Sequence, residues 1–506
     1  MNAEVVVFGA TAGGVMAAVA AAEEGANVIL VATGRHVGGM VTGGLGKTDL
    51  ERQEQLIGGL ARRFFVAAGD AYGEPIAWRF EPSVAETIME RLLADSGATV
   101  HRGEGLASVD LEEGRLTAIR LDDGTTLSAD AFIDASYEGD LLRAAGVDHA
   151  IGRQGRERYG EPHAGRVELL PNPHQFRVTF SALAADGQLL PGVRPYDAIG
   201  PTGSGDGLVQ SYCYRVCLTD DPQRRIPFAR PPDYDPQRYV LLERYFAALG
   251  DAAGIRDVLG IGRIPNGKTD VNSGGPVSTN LLGGSWRYPT AEAPERTRIA
   301  EEHRTWTQGL LYLLATDPAV PQSIRDEMGA LGWPADEFVD TGHFPHQLYV
   351  REAARLRGQH VLTEHDLRSE RMPADAIGLG GYNIDIREVQ WVAAPIYRFP
   401  DIQPEVMVEG YLSAPVPPWG IPYRSLLPRR DQCENLLVSV CISASHVAFS
   451  SFRMEPQYMI AGESAGVAAA MASRDRRAVD DVPIDELQGR LRARGQLLSP
   501  KGSLHR

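Results

Sequence analysis

The sequence predicts an α/β fold: a parallel sheet assembled from both ends of the chain, with a mixed α+β unit inserted between them. Three observations predict it. A β-branched apolar run, a glycine-rich turn, an alanine-rich helix and a second apolar run follow one another within the first 32 residues. Near the other end, an apolar run at 435–440 and a small-residue, polar loop at 441–456 precede a small-residue helix at 457–470. Between about residues 151 and 400, Trp, His, Pro and Arg become more frequent, which marks a different unit.

Residues 4–8 (Glu-Val-Val-Val-Phe) form a short apolar run bounded by glycine and read as a buried parallel strand. Gly9-Ala-Thr-Ala-Gly13-Gly14 is the turn, residues 15–22 are the helix and 27–32 the second strand. The unit has the size of a Rossmann-like βαβ crossover that binds a dinucleotide, with Gly9, Thr11, Ala12, Gly13 and Gly14 at the helix N-terminus facing a pyrophosphate. Two positions depart from G-x-G-x-x-G. Thr11 replaces the second glycine and offers a hydroxyl, and Ala32 replaces the acidic residue that binds the ribose. Thr33 and Arg35 are the nearest substitutes. Five of the nine positions from Gly38 to Gly46 are glycine, as expected where backbone lies close under a flat ring. After a short helix, Val100 opens another β segment. A hairpin excursion over 107–129 follows, with turns at Glu113-Gly114 and Asp123-Gly124, and then a strand at 131–134.

Composition narrows the function classes. At 506 residues, two to four folding units are expected, and 43% hydrophobic with 23% charged residues excludes wholesale disorder. A net charge of −16 argues against nucleic acid and anionic membranes as partners. No apolar run is long enough to cross a bilayer, and no basic leader precedes the first strand. Cys213, Cys217, Cys433 and Cys441 include no C-x-x-C pair, so a reduced, cytoplasmic protein is expected.

Further segments are Ala131-Phe-Ile-Asp-Ala-Ser-Tyr-Glu-Gly-Asp140, Gln210-Ser-Tyr-Cys-Tyr-Arg215, Lys268-Thr-Asp-Val-Asn272 and Pro345-His-Gln-Leu-Tyr-Val-Arg-Glu352. Pro415-Val-Pro-Pro-Trp-Gly-Ile-Pro-Tyr-Arg424, Ser443-Ala-Ser-His446 and Arg453-Met-Glu-Pro456 complete the series. With the two glycine-rich stretches, this ordered set resembles the bacterial FAD-dependent oxidoreductases of the glutathione-reductase-type superfamily, over nearly the whole chain. The resemblance implies a Rossmann-like FAD-binding domain with a β-meander excursion, plus an inserted α+β substrate-capping domain. It implies pyrophosphate contacts at Gly9–Gly14 and passage of Gly38, Gly39, Met40, Gly43, Leu45 and Gly46 beside the flavin. Val100 would lie against the adenine, and Ala135, Ser136 and Asp140 near the cofactor, although Ser136 and Tyr137 depart from the commoner Thr-Gly. Ser443 and Met454 belong to the second cofactor wall, where a helix start faces the edge of the flavin that becomes negative on reduction. In some relatives a histidine near the second strand carries flavin covalently; nothing in the spacing requires this of His36.

Flavin oxidation of C–OH or C–NH needs a group that takes the substrate proton, and histidine suits that task. His446, before the C-terminal helix, is the first candidate, and His346 the second. His343 and His346 do not make a persuasive metal pair, because Pro345 separates them and no third ligand follows, so no metal is expected. Arg351 and Arg453 either clamp a substrate or pair with neighbours such as Glu352 and Glu455. Tyr212, Asn272 and Tyr382 are weaker pocket candidates. Helices are expected at 295–315, 321–331 and 348–358, and a strand at 209–219 placing Cys213 and Cys217 on one face.

The expected division is a discontinuous FAD-binding domain (1–50, 95–150, 405–475), a substrate cap (51–94, 151–404) and a C-terminal tail helix (476–506). The expected function is oxidation of a small polar molecule by hydride transfer to FAD. A flavin-dependent reductase, a non-redox flavoenzyme and a silent ligand-binding protein on the same fold are the alternatives. No second G-x-G-x-x-G marks a nicotinamide site, so oxygen or a carrier is the expected electron acceptor; a homo-oligomer is compatible with the composition.

Overall fold

The computed structural model describes residues 1–395 and 403–500. The last six residues of the expected tail (501–506) and residues 396–402 of the expected cap lie outside the described residues.

Strand β1 (Val5–Phe8) runs into helix α1 (Ala12–Glu23), and the chain returns as β2 (Val28–Ala32), parallel to β1. Helices α2 (Gly59–Tyr72) and α3 (Pro82–Ser96) then lead to β3 (Thr99–Arg102), which extends the sheet at its edge beside β2. The meander β4 (Leu106–Glu112), β5 (Arg115–Leu121) and β6 (Thr126–Ser128) forms its own antiparallel sheet, with positive φ at Glu113, Gly114 and Gly124 in its turns. Strand β7 (Ala131–Asp134) returns to the other side of β1, and the strand Leu436–Val438 from the far end of the chain pairs beside it. All five strands are parallel, and the central four-residue runs of β1 and β7 are fully buried, which is why they read as continuous apolar stretches.

Sheet position follows from helix packing. Helix α1 lies directly against the long helix Glu455–Asp475, whose residues from Glu455 to Ser473 are all buried. A Cβ on Gly462 would come within 2.0 Å of the Gly13 carbonyl oxygen, and one on Gly466 within 2.2 Å of that of Ala17. The helices therefore touch backbone to backbone. Because both are enclosed on all sides, neither shows an amphipathic stripe, and Ala and Gly fill them instead.

The inserted region holds a three-stranded antiparallel sheet with Lys268–Ser273 between Val216–Thr219 and Leu259–Ile264. It also holds the helices Ala293–Thr316 and Gln322–Gly329, and a mixed sheet in which Gln390–Ala394 and Val193–Pro195 are joined by Glu405–Glu409, a strand the expected division had put in the FAD-binding domain.

Four expectations need correction. The strand expected over 209–219 is confined to Val216–Thr219; Cys213 makes only an isolated bridge to Tyr349 and packs in the main core, while Cys217 packs with Ile264 and Phe338. The helix expected over 348–358 is absent: this segment is extended, tied to Cys213 at Tyr349 and to His149–Ala150 through Arg355–Leu356. Its Arg-Glu-Ala-Ala-Arg favours helix intrinsically, but burying Arg351, Glu352 and Arg355 among fixed partners overrides propensity. The segment 441–456 is not a plain loop, because Ser445 caps a short helix, His446–Phe452. The tail contains one ten-residue helix, Ile484–Ala493.

Gly462→Val should cost at least about 2 kcal/mol, because its side chain meets backbone that cannot yield. Gly489→Ala, where a Cβ meets nothing within 4 Å, should stabilise by about 0.5–1 kcal/mol. Chemical denaturation of the two variants checks the contrast.

Candidate functional site

The order Leu436–Val438, β7, β1, β2, β3 places a switch of direction at β1, whose neighbours are reached by oppositely directed connections. In open parallel sheets, ligands bind at such a point, outside the carboxyl ends of the strands. Those ends bring together Gly9, Thr33, Ala135 and Ser439, which are far apart in sequence. Thr11 caps α1: its Oγ1 accepts from the Gly14 N–H (3.1 Å) and donates to the Ala135 carbonyl (2.8 Å). The N–H groups of Ala12 and Gly13, in the first turn, have no acceptor within the helix and remain for an anion. Thr33 and Arg35 are exposed beyond Ala32, and Val100 lies in the edge strand β3. Ser136 Oγ is turned inward, donating to Asp134 (2.7 Å) and accepting from the Gly139 and Asp140 N–H groups; Asp140 pairs with Arg296 at 2.7 Å.

The second glycine-rich stretch is stitched to the first, since the Gly38 N–H donates to the Ala10 carbonyl at 2.8 Å. Gly39 has φ +57°, and a Cβ there would sit 2.4 Å from the Tyr137 hydroxyl. That hydroxyl accepts from the Met40 N–H (2.9 Å) and donates to Glu455 Oε1 (2.7 Å). Thus Met40, Tyr137 and the first residue of the C-terminal helix meet in one buried chain of hydrogen bonds. Burial pushes the Glu455 carboxyl up to about 8, against the opposing effect of its bond to Tyr137, and Oε2 has no partner. Met454 is the N-cap position of that helix, and buried Ser443 accepts from the Gly358 N–H. Gly43 and Leu45 donate backbone bonds to the Met40 carbonyl, and the Gly46 carbonyl accepts from the Phe80 N–H.

His446 is fully buried at the start of its helix, and its Nδ1 lies 2.9 Å from Glu352 Oε2. Glu352 is held further by Arg355 (2.8 Å) and the Gln210 N–H (3.0 Å). Despite its burial, His446 and Arg355 hold its carboxyl down at about 2, so the group is ionised. An ionised acceptor fixes the hydrogen on Nδ1 and leaves Nε2 as the basic nitrogen, and Nε2 is buried without a partner.

The two arginines do not take the carboxylates that sequence proximity offered. Arg453 pairs with Asp385 (2.9 Å) and donates to the Tyr349 hydroxyl (3.0 Å), whereas Glu455 turns to Tyr137. Arg351 donates to the Ser211 carbonyl, and Glu352 turns to His446 and Arg355. His346 belongs to a separate cluster, stacked on His36 with ring centroids 3.9 Å apart, and burial pushes it down to about 4. His36 bonds Glu86 (2.7 Å), and that bond raises its pKa. Sequence reasoning missed the roles of Glu352, Tyr137 and Glu455; the signal available was a charged Arg-Glu pair inside an otherwise apolar segment.

Folded Glu455 keeps its proton up to about 8, whereas the unfolded chain releases it near 4.5. The native state therefore binds more protons between these values, and stability falls as pH rises, by about 1.4 kcal/mol per pH unit for this group. Glu455→Gln should be more stable than the parent at pH 8, by a few kcal/mol at most, and the difference should vanish toward pH 4.5. Denaturation midpoints across that range check it.

The fold and its donors fit a dinucleotide: a helix N-terminus at the switch point, exposed groups beyond β2, and buried polar atoms left without partners. No curated protein matches the sequence. Solved structures with local similarity include the OxyS anhydrotetracycline hydroxylase from Streptomyces rimosus (16% identity, 36% of this chain and 43% of that one, TM-score 0.25). They also include Thermovibrio ammonificans THI4 (17%, 30% and 66%, 0.23) and a flavin-containing monooxygenase from Stenotrophomonas maltophilia (17%, 31% and 43%, 0.21). The chain spans less than half the length of the first of these, and scores this low carry no argument about its chemistry. The family model described as FAD dependent oxidoreductase, by contrast, matches residues 4–491, nearly the whole chain. The chain belongs to the FAD-dependent oxidoreductase family, and FAD is its cofactor.

Proposed function

We propose that this FAD-dependent oxidoreductase oxidises a small polar substrate at a C–OH or C–NH centre, with His446 as the base. One observation carries the reading: His446 presents an unpartnered, buried Nε2 while Nδ1 is anchored on ionised Glu352. A reductase of C=C bonds needs a proton donor at that place, and a non-redox flavoenzyme needs neither.

FAD, when bound, supplies the two-electron acceptor. The chain does the rest. The Ala12 and Gly13 N–H groups and the α1 dipole hold the pyrophosphate, and the exposed Thr33 and Arg35 replace the missing acid at Ala32 for the ribose. Gly38, Gly39 and Met40, on a backbone fixed by Tyr137, would hold the flavin. His446 Nε2 takes the proton of the substrate O–H or N–H as the C–H hydrogen leaves with its electron pair, giving C=O or C=N. Glu352 stabilises the imidazolium so formed, and Arg355 keeps Glu352 charged. The inserted region covers the site and excludes water. Electrons then pass to oxygen or a carrier.

Denaturing the purified protein should release FAD, and anaerobic mixing with substrate should bleach the flavin. His446→Gln should retain flavin and lower kcat by about 10²- to 10⁴-fold. An unchanged rate of flavin bleaching in His446→Gln would remove the histidine from the chemistry.

A further inference from the structure

Three buried guanidiniums, Arg351, Arg387 and Arg453, lie near one another, and two of them, Arg351 and Arg453, flank the Tyr349 ring. The Arg351 guanidinium carbon lies 4.7 Å from the Tyr349 ring centroid, and that of Arg453 lies 6.0 Å from it. Two of the three cations are neutralised locally: Arg453 by Asp385 at 2.9 Å and Arg387 by Glu388 at 3.1 Å. His174 also bonds Glu388, at 2.7 Å.

Arg351 is different. Among the described residues it has no carboxylate partner. Its Nη1 donates to the Ser211 carbonyl, its Nη2 lies 3.4 Å from Cys213 Sγ, and its Nε has no partner. Only 2% of the residue is exposed. Burial above all, and then the like charges of Arg387 and Arg453, lower its pKa. A buried cation with no counterion is destabilising and is not kept for stability. The Nε atoms of Arg387 and Arg453 are also buried and unpartnered, so the same cluster holds three unspent donors. A planar carboxylate is the ligand that both neutralises the excess charge and accepts from a guanidinium fork.

We propose that Arg351, with Arg453 beside it on the Tyr349 ring, is the subsite for a carboxylate group of the substrate, which is therefore a small organic acid. This rests on the substrate-oxidation reading above for the fate of the bound molecule, though binding itself does not. The two sites are mechanically joined: Arg351 directly precedes Glu352, and the backbone of Gln210-Ser211 contacts both, donating to Glu352 and accepting from Arg351.

The test is calorimetric titration of the FAD-loaded protein with glycolate, L-lactate, L-malate, succinate and citrate, each against its neutral amide. Carboxylates are expected to bind at least tenfold more tightly than their amides, and Arg351→Met to lose at least tenfold in carboxylate affinity. Without ligand, Arg351→Met should unfold at the same or a higher temperature than the parent, because it removes an unpaired buried charge; a purely structural arginine would leave the variant less stable. Should Arg351→Met fail to fold, that result counts for the structural role, and the acid-versus-amide comparison on the parent still decides on the ligand. Equal affinity for acids and amides, no binding by any of the five acids, or an Arg351→Met variant with undiminished affinity would overturn the subsite. Acid binding that never reduces the flavin would uphold the subsite and overturn the substrate-oxidation reading, and reduction by neutral alcohols with no preference for acids would do the reverse.

Discussion

The contact between helix α1 and the helix Glu455–Asp475, made backbone to backbone at Gly13, Gly462 and Gly466, is the constraint on which the site depends. It brings the start of the chain to its far end. One partner begins with the free Ala12 and Gly13 N–H groups at the switch point; the other begins at Glu455 and is preceded by the His446 helix. Any side chain at these glycines would separate the helices and so move the start of α1 away from the His446–Glu455 segment. Close packing of small residues is tolerant of no added volume, which makes this contact a stricter determinant than the apolar strands around it.

Around this scaffold the interior is unusually polar. Glu352, Arg355, Arg387, Glu388, Arg453 and Asp385 are placed in pairs whose members compensate each other. Such pairs are poor sources of stability, because desolvation offsets most of the Coulomb gain. What they provide is orientation. Glu352 sets which nitrogen of His446 is basic, and Tyr137 sets the path of the backbone at Met40 by bonding its N–H. Among the groups left unsatisfied, His446 Nε2, Glu455 Oε2 and the Nε atoms of Arg351, Arg387 and Arg453 have capacity for a bound molecule.

The parallel sheet, its meander and both glycine-rich turns were legible in the sequence, because buried strands have a local signature of β-branched runs ending in glycine. That His446 stands ahead of a small-residue helix was also legible, though what it bonds was not. The extended path of 348–358 was not, since its residues favour helix and only their distant partners, Cys213, His149 and Ala150, hold the chain out. Nor were the ion pairs: Arg453 with Asp385 and His446 with Glu352 join residues 68 and 94 positions apart, and no local pattern encodes that choice. The nearest acid in sequence was the wrong partner for both arginines.

The most direct measurement is a crystal structure of the protein with FAD bound. Its isoalloxazine ring should lie against the Gly39–Val41 turn on one side and within reach of His446 and Glu455 on the other, with the pyrophosphate at the first turn of α1. A ring found away from either wall, or a phosphate bound elsewhere than that helix start, would contradict the assembly of this site from the two ends of the chain.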